Sequence, residues 1–90
     1  MEFDEDLIYA ILKWRESVQE IGRIAPPDLP DWTRHQICYH AKLCRERGLI
    51  QDYFDVKSNT GRNPEIQLCR IGALSWAGQE ELKRMRAARR

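Results

Sequence analysis

Apolar residues recur at helical spacing in three stretches of the chain, and the first predicts a helix over about Asp4 to Gln19. Asp4 is the predicted N-cap, and Glu5 and Asp6 place negative charge where a helix N-terminus favours it. The apolar stripe of this helix comprises Leu7, Ile8, Ile11, Leu12, Trp14 and Val18.

The second stretch, Thr33 to Ile50, predicts a helix with a defined start and stop. The Thr33 hydroxyl can accept a hydrogen bond from the first turn, and Gly48 can adopt the left-handed conformation that ends a helix. The predicted buried stripe is Ile37, Ala41 and Cys44, and the predicted opposite face is His35, Tyr39, Lys42 and Glu46.

Two strand-like segments follow. Residues 50–56 and 66–71 alternate apolar and polar positions, and residues 57–64 between them are rich in turn formers. We therefore predict a β-hairpin. The third helical stretch begins after it, with Ser75 as its N-cap and with Trp76, Leu82 and Met85 predicted to pack on the first helix.

The segment between the first two helices lacks helical periodicity. Residues 21–24 predict a short edge strand. Three prolines in residues 25–31 remove backbone donors and fix backbone angles, so they exclude a regular helix there.

The segment YHAKLCRERGLI, residues 39–50, resembles the recognition helix of winged helix-turn-helix proteins, which often ends in a pattern of the type RHLKxLxxxGLI. A second segment, LSWAGQEEL at residues 74–82, is similar to the LTxxGxxxL pattern with which such proteins leave the wing. The matching residues are His40, Lys42, Leu43, Gly48, Leu49, Ile50, Leu74, Ser75, Gly78 and Leu82.

This resemblance implies an α+β winged helix with a three-helix core, a β-hairpin wing and a short edge strand. The second helix of the usual motif is degenerate here or replaced by the proline-rich loop. The two segments, together with residues 4–8, are also similar to a small uncharacterised family of winged-helix-like proteins of phages and bacteria.

Length and composition bound the remaining possibilities. Ninety residues, 42% of them apolar, predict one domain spanning 1–90, with a basic and frayed end at 83–90. No apolar run approaches the roughly 20 residues that span a membrane, and the acidic N-terminus is not a secretory signal, so we expect a cytoplasmic protein. The three cysteines predict buried, reduced thiols rather than disulfides or a metal site.

Charge is unevenly distributed along the chain. Residues 1–32 carry eight acidic and three basic residues, a net charge of −5, whereas residues 33–90 carry six acidic and twelve basic residues, a net charge of +6. This separation indicates either a basic face that attracts nucleic acid or a dipolar surface without a nucleic-acid partner.

We expect a small transcription-regulator-like protein that binds duplex DNA through the 33–47 helix and the 57–63 wing, since donors near the start of a recognition helix reach base edges.

The first and last helices are expected to pack together and form a homodimer, which would read two half-sites. No catalytic motif is present, so we predict neither an enzyme nor a cofactor. The predicted DNA-binding residues are Arg34, His35, Gln36, Tyr39, Lys42, Lys57, Asn59 and Arg62.

The alternative is a protein-interaction module, in which a phage-type protein binds and modulates a host factor through the same scaffold. Exposure of Trp32 would favour this alternative, because exposed tryptophans anchor interfaces. A positive strip over Arg34, Lys42, Lys57 and Arg62 would favour DNA.

Overall fold

The structure, a computed structural model, describes residues 3–57 and 65–89, apart from the side chain of Gln67. The predicted α+β class is confirmed, because three helices and one antiparallel hairpin follow each other along the chain. The elements are α1 (Glu5–Ser17), α2 (Arg34–Glu46), β1 (Tyr53–Lys57), β2 (Ile66–Ile71) and α3 (Trp76–Ala88).

The hairpin has a defined register, in which Tyr53 pairs with Ile71 and Phe54 with Arg70. Ile71 also forms a bridge with Ile24, on the edge of β2 that faces away from β1. The edge strand predicted over 21–24 is therefore a single bridge, and Ile21 is exposed to solvent.

The predicted helix caps are confirmed. The Asp4 carboxylate accepts a hydrogen bond from the Leu7 N–H at 3.1 Å, and the Ser75 hydroxyl accepts one from the Gly78 N–H at 3.0 Å. Gly48 has a φ of +74°, the left-handed conformation expected after the end of α2. Local sequence thus determines where the helices begin and where α2 ends.

The core lies between α1, α2, the hairpin and α3. Leu82 and Met85 are buried as predicted, but Trp76 is 79% exposed, so its predicted packing against α1 is wrong. Trp76 follows the Ser75 cap directly and occupies the first helical position. The buried apolar side chains are Leu7, Ile8, Ile11, Leu12, Ile37, Cys38, Ala41, Cys44, Leu49, Ile50, Ile66, Cys69, Ile71, Leu74, Leu82 and Met85.

All three cysteines are buried and free, as predicted. Burial raises the pKa of Cys44 to about 12, so this thiol is protonated at neutral pH.

The segment 25–31 contains no helix, in agreement with the prediction from its prolines. A single turn closes it, with the Trp32 N–H donating to the Leu29 carbonyl at 3.2 Å. α2 is therefore preceded by an irregular loop.

Two absences hold for the part of the chain that the structure describes. None of the helices there is long and apolar enough to cross a membrane. Nor do three or more histidine, cysteine or acidic side chains gather there in an arrangement that would hold a metal ion.

Candidate nucleic-acid interface

The start of α2 is fixed by a capping box. The Gln36 N–H donates to the Thr33 hydroxyl at 3.1 Å, and the Thr33 N–H donates to the side-chain carbonyl of Gln36 at 2.8 Å. Both bonds satisfy backbone donors that a helix N-terminus leaves unpaired. The side-chain carbonyl of Gln36 is therefore occupied by the cap, while its backbone carbonyl is not.

Side chains of α2 and β1 hold the hairpin against α2. His35 Nδ1 accepts a hydrogen bond from the Ile66 N–H at 2.9 Å, at the start of β2. The Tyr53 hydroxyl lies 3.0 Å from the Cys38 carbonyl and 2.9 Å from the Asp55 carboxylate. Burial, and then the adjacent Asp55 carboxylate, raise the pKa of Tyr53, so it remains a donor.

The other predicted contact residues are distributed as follows. Arg34 is exposed at the first position of α2, Lys42 and Tyr39 are half-buried on the same helix, and Lys57 is exposed at the end of β1. The remaining two predicted residues, Asn59 and Arg62, lie outside the described residues.

The basic residues of α2 differ from the arginines at the C-terminal end of the chain in their partners. Arg86 of α3 and Arg89, its C-cap, form ion pairs with Glu16 at 2.9 Å and Asp6 at 2.7 Å, and Arg84 pairs with Glu81 on its own helix. Within the described residues, the basic side chains of α2 form no ion pair. These side chains are Arg34, Lys42 and Arg45.

A cluster at the start of α1 orders the loop ahead of α2. The Trp32 indole N–H donates to the Asp4 carboxylate at 2.8 Å, and the Asp4 N–H donates to His40 Nε2 at 2.9 Å. His40 Nε2 is thus an acceptor, so Nδ1 carries the proton. The Nδ1–H donates to the backbone carbonyl of Gln36 at 2.8 Å. His40, one of the motif residues, is therefore buried and hydrogen-bonded at both ring nitrogens.

Trp32 is half-buried against the core in this cluster. The exposure that would have favoured a protein-interaction module is therefore not present at this residue.

Two further features were not predicted. Arg15 is buried within α1, and Phe54 lies exposed beside Arg23. Strand alternation left open whether Tyr53 or Phe54 faces inward, and the observed register places Tyr53 inside. For Arg15 the sequence carried one signal, a basic residue four positions after Ile11 on the apolar side of α1.

These elements define a small α+β protein in which a capped helix carries an antiparallel hairpin and two further helices complete the core. A family described as "Hypothetical protein (DUF2513)" matches residues 2–89, and the chain belongs to this family. No curated protein and no solved structure matches the chain.

Proposed function

We propose that the chain is a winged-helix protein that binds duplex DNA, with α2 as the recognition helix and the hairpin as the wing. The order α1, α2, β1, β2, α3 agrees with this assignment, as does the bridge of Ile24 to the outer edge of β2. The loop at 25–31 takes the place of the usual second helix.

One observation carries the proposal. The arginines of α3 are paired with acidic side chains, whereas Arg34 and Lys42 of α2 have no acidic partner among the described residues. Unpaired basic side chains on an exposed helix are available to phosphates, which supply most of the affinity of non-specific DNA binding.

Fewer side chains of α2 are free to contact bases than the sequence predicted. His35 Nδ1 and the Gln36 carbonyl already accept hydrogen bonds within the protein. Arg34 remains the side chain at the helix start suited to bidentate contact with guanine. Lys42, Tyr39 and Lys57 are assigned to the DNA backbone, where contacts position a protein without reading sequence.

The test is fluorescence anisotropy of a labelled random-sequence duplex at two salt concentrations. Arg34→Ala combined with Lys42→Ala is expected to weaken binding and to reduce the salt slope by about 1.8, because each lost phosphate contact contributes about 0.9. The matched control is Arg84→Ala combined with Arg86→Ala on α3, where both arginines are paired with acidic side chains. It removes the same charge and should reduce the salt slope less.

Equal losses in the two double variants would show that net charge alone attracts DNA, and the assignment of α2 would fail. Thermal unfolding of both variants is the accompanying check, since a folding defect would also lower affinity.

A protein-interaction module is the second candidate function, and Trp76 is the observation in its favour. This side chain is 79% exposed at the start of α3, and tryptophan is enriched among the residues that dominate interfaces. Absence of duplex binding even at low salt would favour this candidate. The homodimer stays a prediction, which sedimentation of the purified protein tests.

A further inference from the structure

The hairpin has an outer face that points away from α2. Tyr53 and Asp55 of β1 are half-buried and face inward, whereas Phe54 and Val56 alternate with them and are exposed. Across the ladder Phe54 pairs with Arg70 and Val56 with Leu68. We call these four side chains the outer hairpin face.

An exposed aromatic ring lies beside one guanidinium group on this face, and a second arginine is its cross-strand neighbour. The Arg23 guanidinium is 5.4 Å from the centroid of the Phe54 ring, and Arg70, exposed, is the direct cross-strand neighbour of Phe54. Opposed residues on one face of an antiparallel pair have Cβ atoms about 5 Å apart. The ring is 47% exposed, so part of its surface is open to a ligand.

Arg23 pairs with one acidic group, Asp52, whose carboxylate is 3.3 Å from the Arg23 side chain. Both side chains of this ion pair are about half exposed. Exposed pairs of this kind contribute little stability, so a phosphate can replace the carboxylate. The Arg70 guanidinium donates to the backbone carbonyl of Cys69, the preceding residue, at 2.9 Å. It pairs with no carboxylate among the described residues.

We propose that the outer hairpin face binds single-stranded DNA. Phe54 stacks on a base, and Arg23 and Arg70 bind the phosphates on either side of it. Aromatic stacking beside a cationic groove is how proteins hold single strands without reading their sequence, because every base has a π face. The proposal is independent of the duplex site on α2, which uses different side chains.

Two features favour single-stranded DNA over duplex DNA and over RNA as the ligand. In a duplex both faces of each base are covered by neighbouring base pairs, so a stacking side chain gains access only to an unpaired strand. The second feature is apolar: Phe54 and Val56 of this face are exposed, and the 5-methyl group of thymine, which uracil lacks, can contact such side chains. This contact favours DNA over RNA.

The test titrates the full chain into fluorescein-labelled oligothymidylate of about 15 nucleotides, a length that covers the site sizes known for single-strand binders. Phe54→Ala is expected to weaken binding about 5-fold or more, the effect of losing one stacked base. Phe54→Tyr should retain affinity, because it keeps the ring. Trp76→Ala is the matched control, since it removes an exposed aromatic residue that has no arginine among its described ring contacts.

Equal effects of Phe54→Ala and Trp76→Ala would overturn the proposal, as would loss of binding in Phe54→Tyr. Tighter binding of oligouridylate than of oligothymidylate would overturn the choice of DNA. Duplex affinity measured on the same variants separates the two sites. A duplex-binding defect confined to the Arg34 and Lys42 variants leaves this proposal standing, and a single-strand defect confined to Phe54→Ala leaves the duplex proposal standing.

Discussion

Arg15 is a buried charged side chain, and no carboxylate among the described residues pairs with it. It is 2% exposed on the inner side of α1, and burial lowers the pKa of its guanidinium. A guanidinium keeps its charge in proteins even when buried. Backbone carbonyls take the place of a counter-ion. The acceptors, at 2.8 to 3.4 Å, are the carbonyls of Val18, Glu20, Gly22, Ile71 and Gly72.

Replacing Arg15 with methionine is expected to lower the free energy of unfolding by about 2–4 kcal/mol, because the carbonyls of Gly72, Val18 and Gly22 lose their guanidinium donor. Arg15→Lys keeps the charge, but a single ammonium group cannot reach all the acceptors that surround the edge of the guanidinium, so an intermediate loss is expected. Urea denaturation measures both. Arg84→Met, an exposed arginine paired within α3, is the control and should cost under about 1 kcal/mol. A loss at Arg15 no larger than the control loss would contradict the interpretation.

Asp4 links acid pH to stability. The hydrogen bond from the Trp32 indole, and then that from the Leu7 N–H, lower the pKa of Asp4 below its ordinary value of 3.8. A carboxylate with a lowered pKa in the folded state contributes stability that is complete above the unfolded pKa and is lost as pH falls through the folded one.

Asp4→Asn is therefore expected to destabilise the protein near neutral pH, by about 1 kcal/mol or less, because the bonds from the Trp32 indole and the Leu7 N–H lose their charged acceptor. The loss should shrink as pH falls below about 4. Urea denaturation across this range gives the difference at each pH. Asp28→Asn, in the exposed loop, is the control for an unrelated carboxylate. A constant difference across the range would show that charge at Asp4 has no part in the effect.

Sequence indicated the local roles of single residues but not their distant partners. The capping roles of Thr33, Ser75 and Gly48 lie within their own segments, and each was predicted. The hydrogen bond from the Ser75 hydroxyl to the Gly48 carbonyl, across 27 positions, was not. His35 and Arg15 bond to backbone atoms of β2, more than 30 positions away, so their roles depend on a tertiary arrangement that periodicity does not contain.

Gly78 shows why α3 follows the hairpin so closely. A Cβ on this residue would lie 1.9 Å from the Leu49 carbonyl oxygen, so the helix backbone approaches the chain that leaves α2 more closely than any other residue type allows. This contact gives a physical reason for the glycine in the LSWAG segment.

Gly78→Ala is expected to cost about 2 kcal/mol or more, despite the higher helix propensity of alanine, because the methyl group displaces α3 from Leu49. Thermal unfolding measures this cost. The reverse exchange one position earlier, Ala77→Gly at an exposed site, should cost about 1 kcal/mol from propensity alone. A stabilised Gly78→Ala protein would mean that α3 does not approach Leu49 in this way.

The elements themselves were largely predictable. Caps, turn formers and apolar periodicity placed all three helices and both strands within a few residues of their observed bounds, and the prolines correctly excluded a second helix. The exposure of Trp76 was not predictable, because helical spacing alone does not say which part of a wide stripe meets a neighbour.

At the scale of the whole molecule, the charge separation along the sequence is partly cancelled in space. Glu16 and Asp6 of α1 pair with Arg86 of α3 and with Arg89, its C-cap, so acids from the first third of the chain neutralise bases from the last. Among the described residues, the bases that form no ion pair include those of α2 and Arg70 of β2. Composition gave the net charge of each part of the chain. Which bases are neutralised by α1 depends on how the helices pack.

The Asp4 cluster has a consequence for the order in which the chain folds. Its bonds join Asp4 to Trp32 and His40 across 28 and 36 positions, so they form only after long loops have closed, and loop closure costs entropy that grows with length. The Thr33–Gln36 box spans three positions and carries no such cost.

In kinetic terms, Asp4→Ala is expected to speed unfolding and leave the folding rate nearly unchanged, with a φ-value near zero, whereas Thr33→Ala should also slow folding. Stopped-flow chevron plots of the two variants give both rates, and similar φ-values would show that the two caps form together. With α1, a helix of 13 residues that is marginal in isolation, the N-terminal segment would become fixed late, after α2 is already in place.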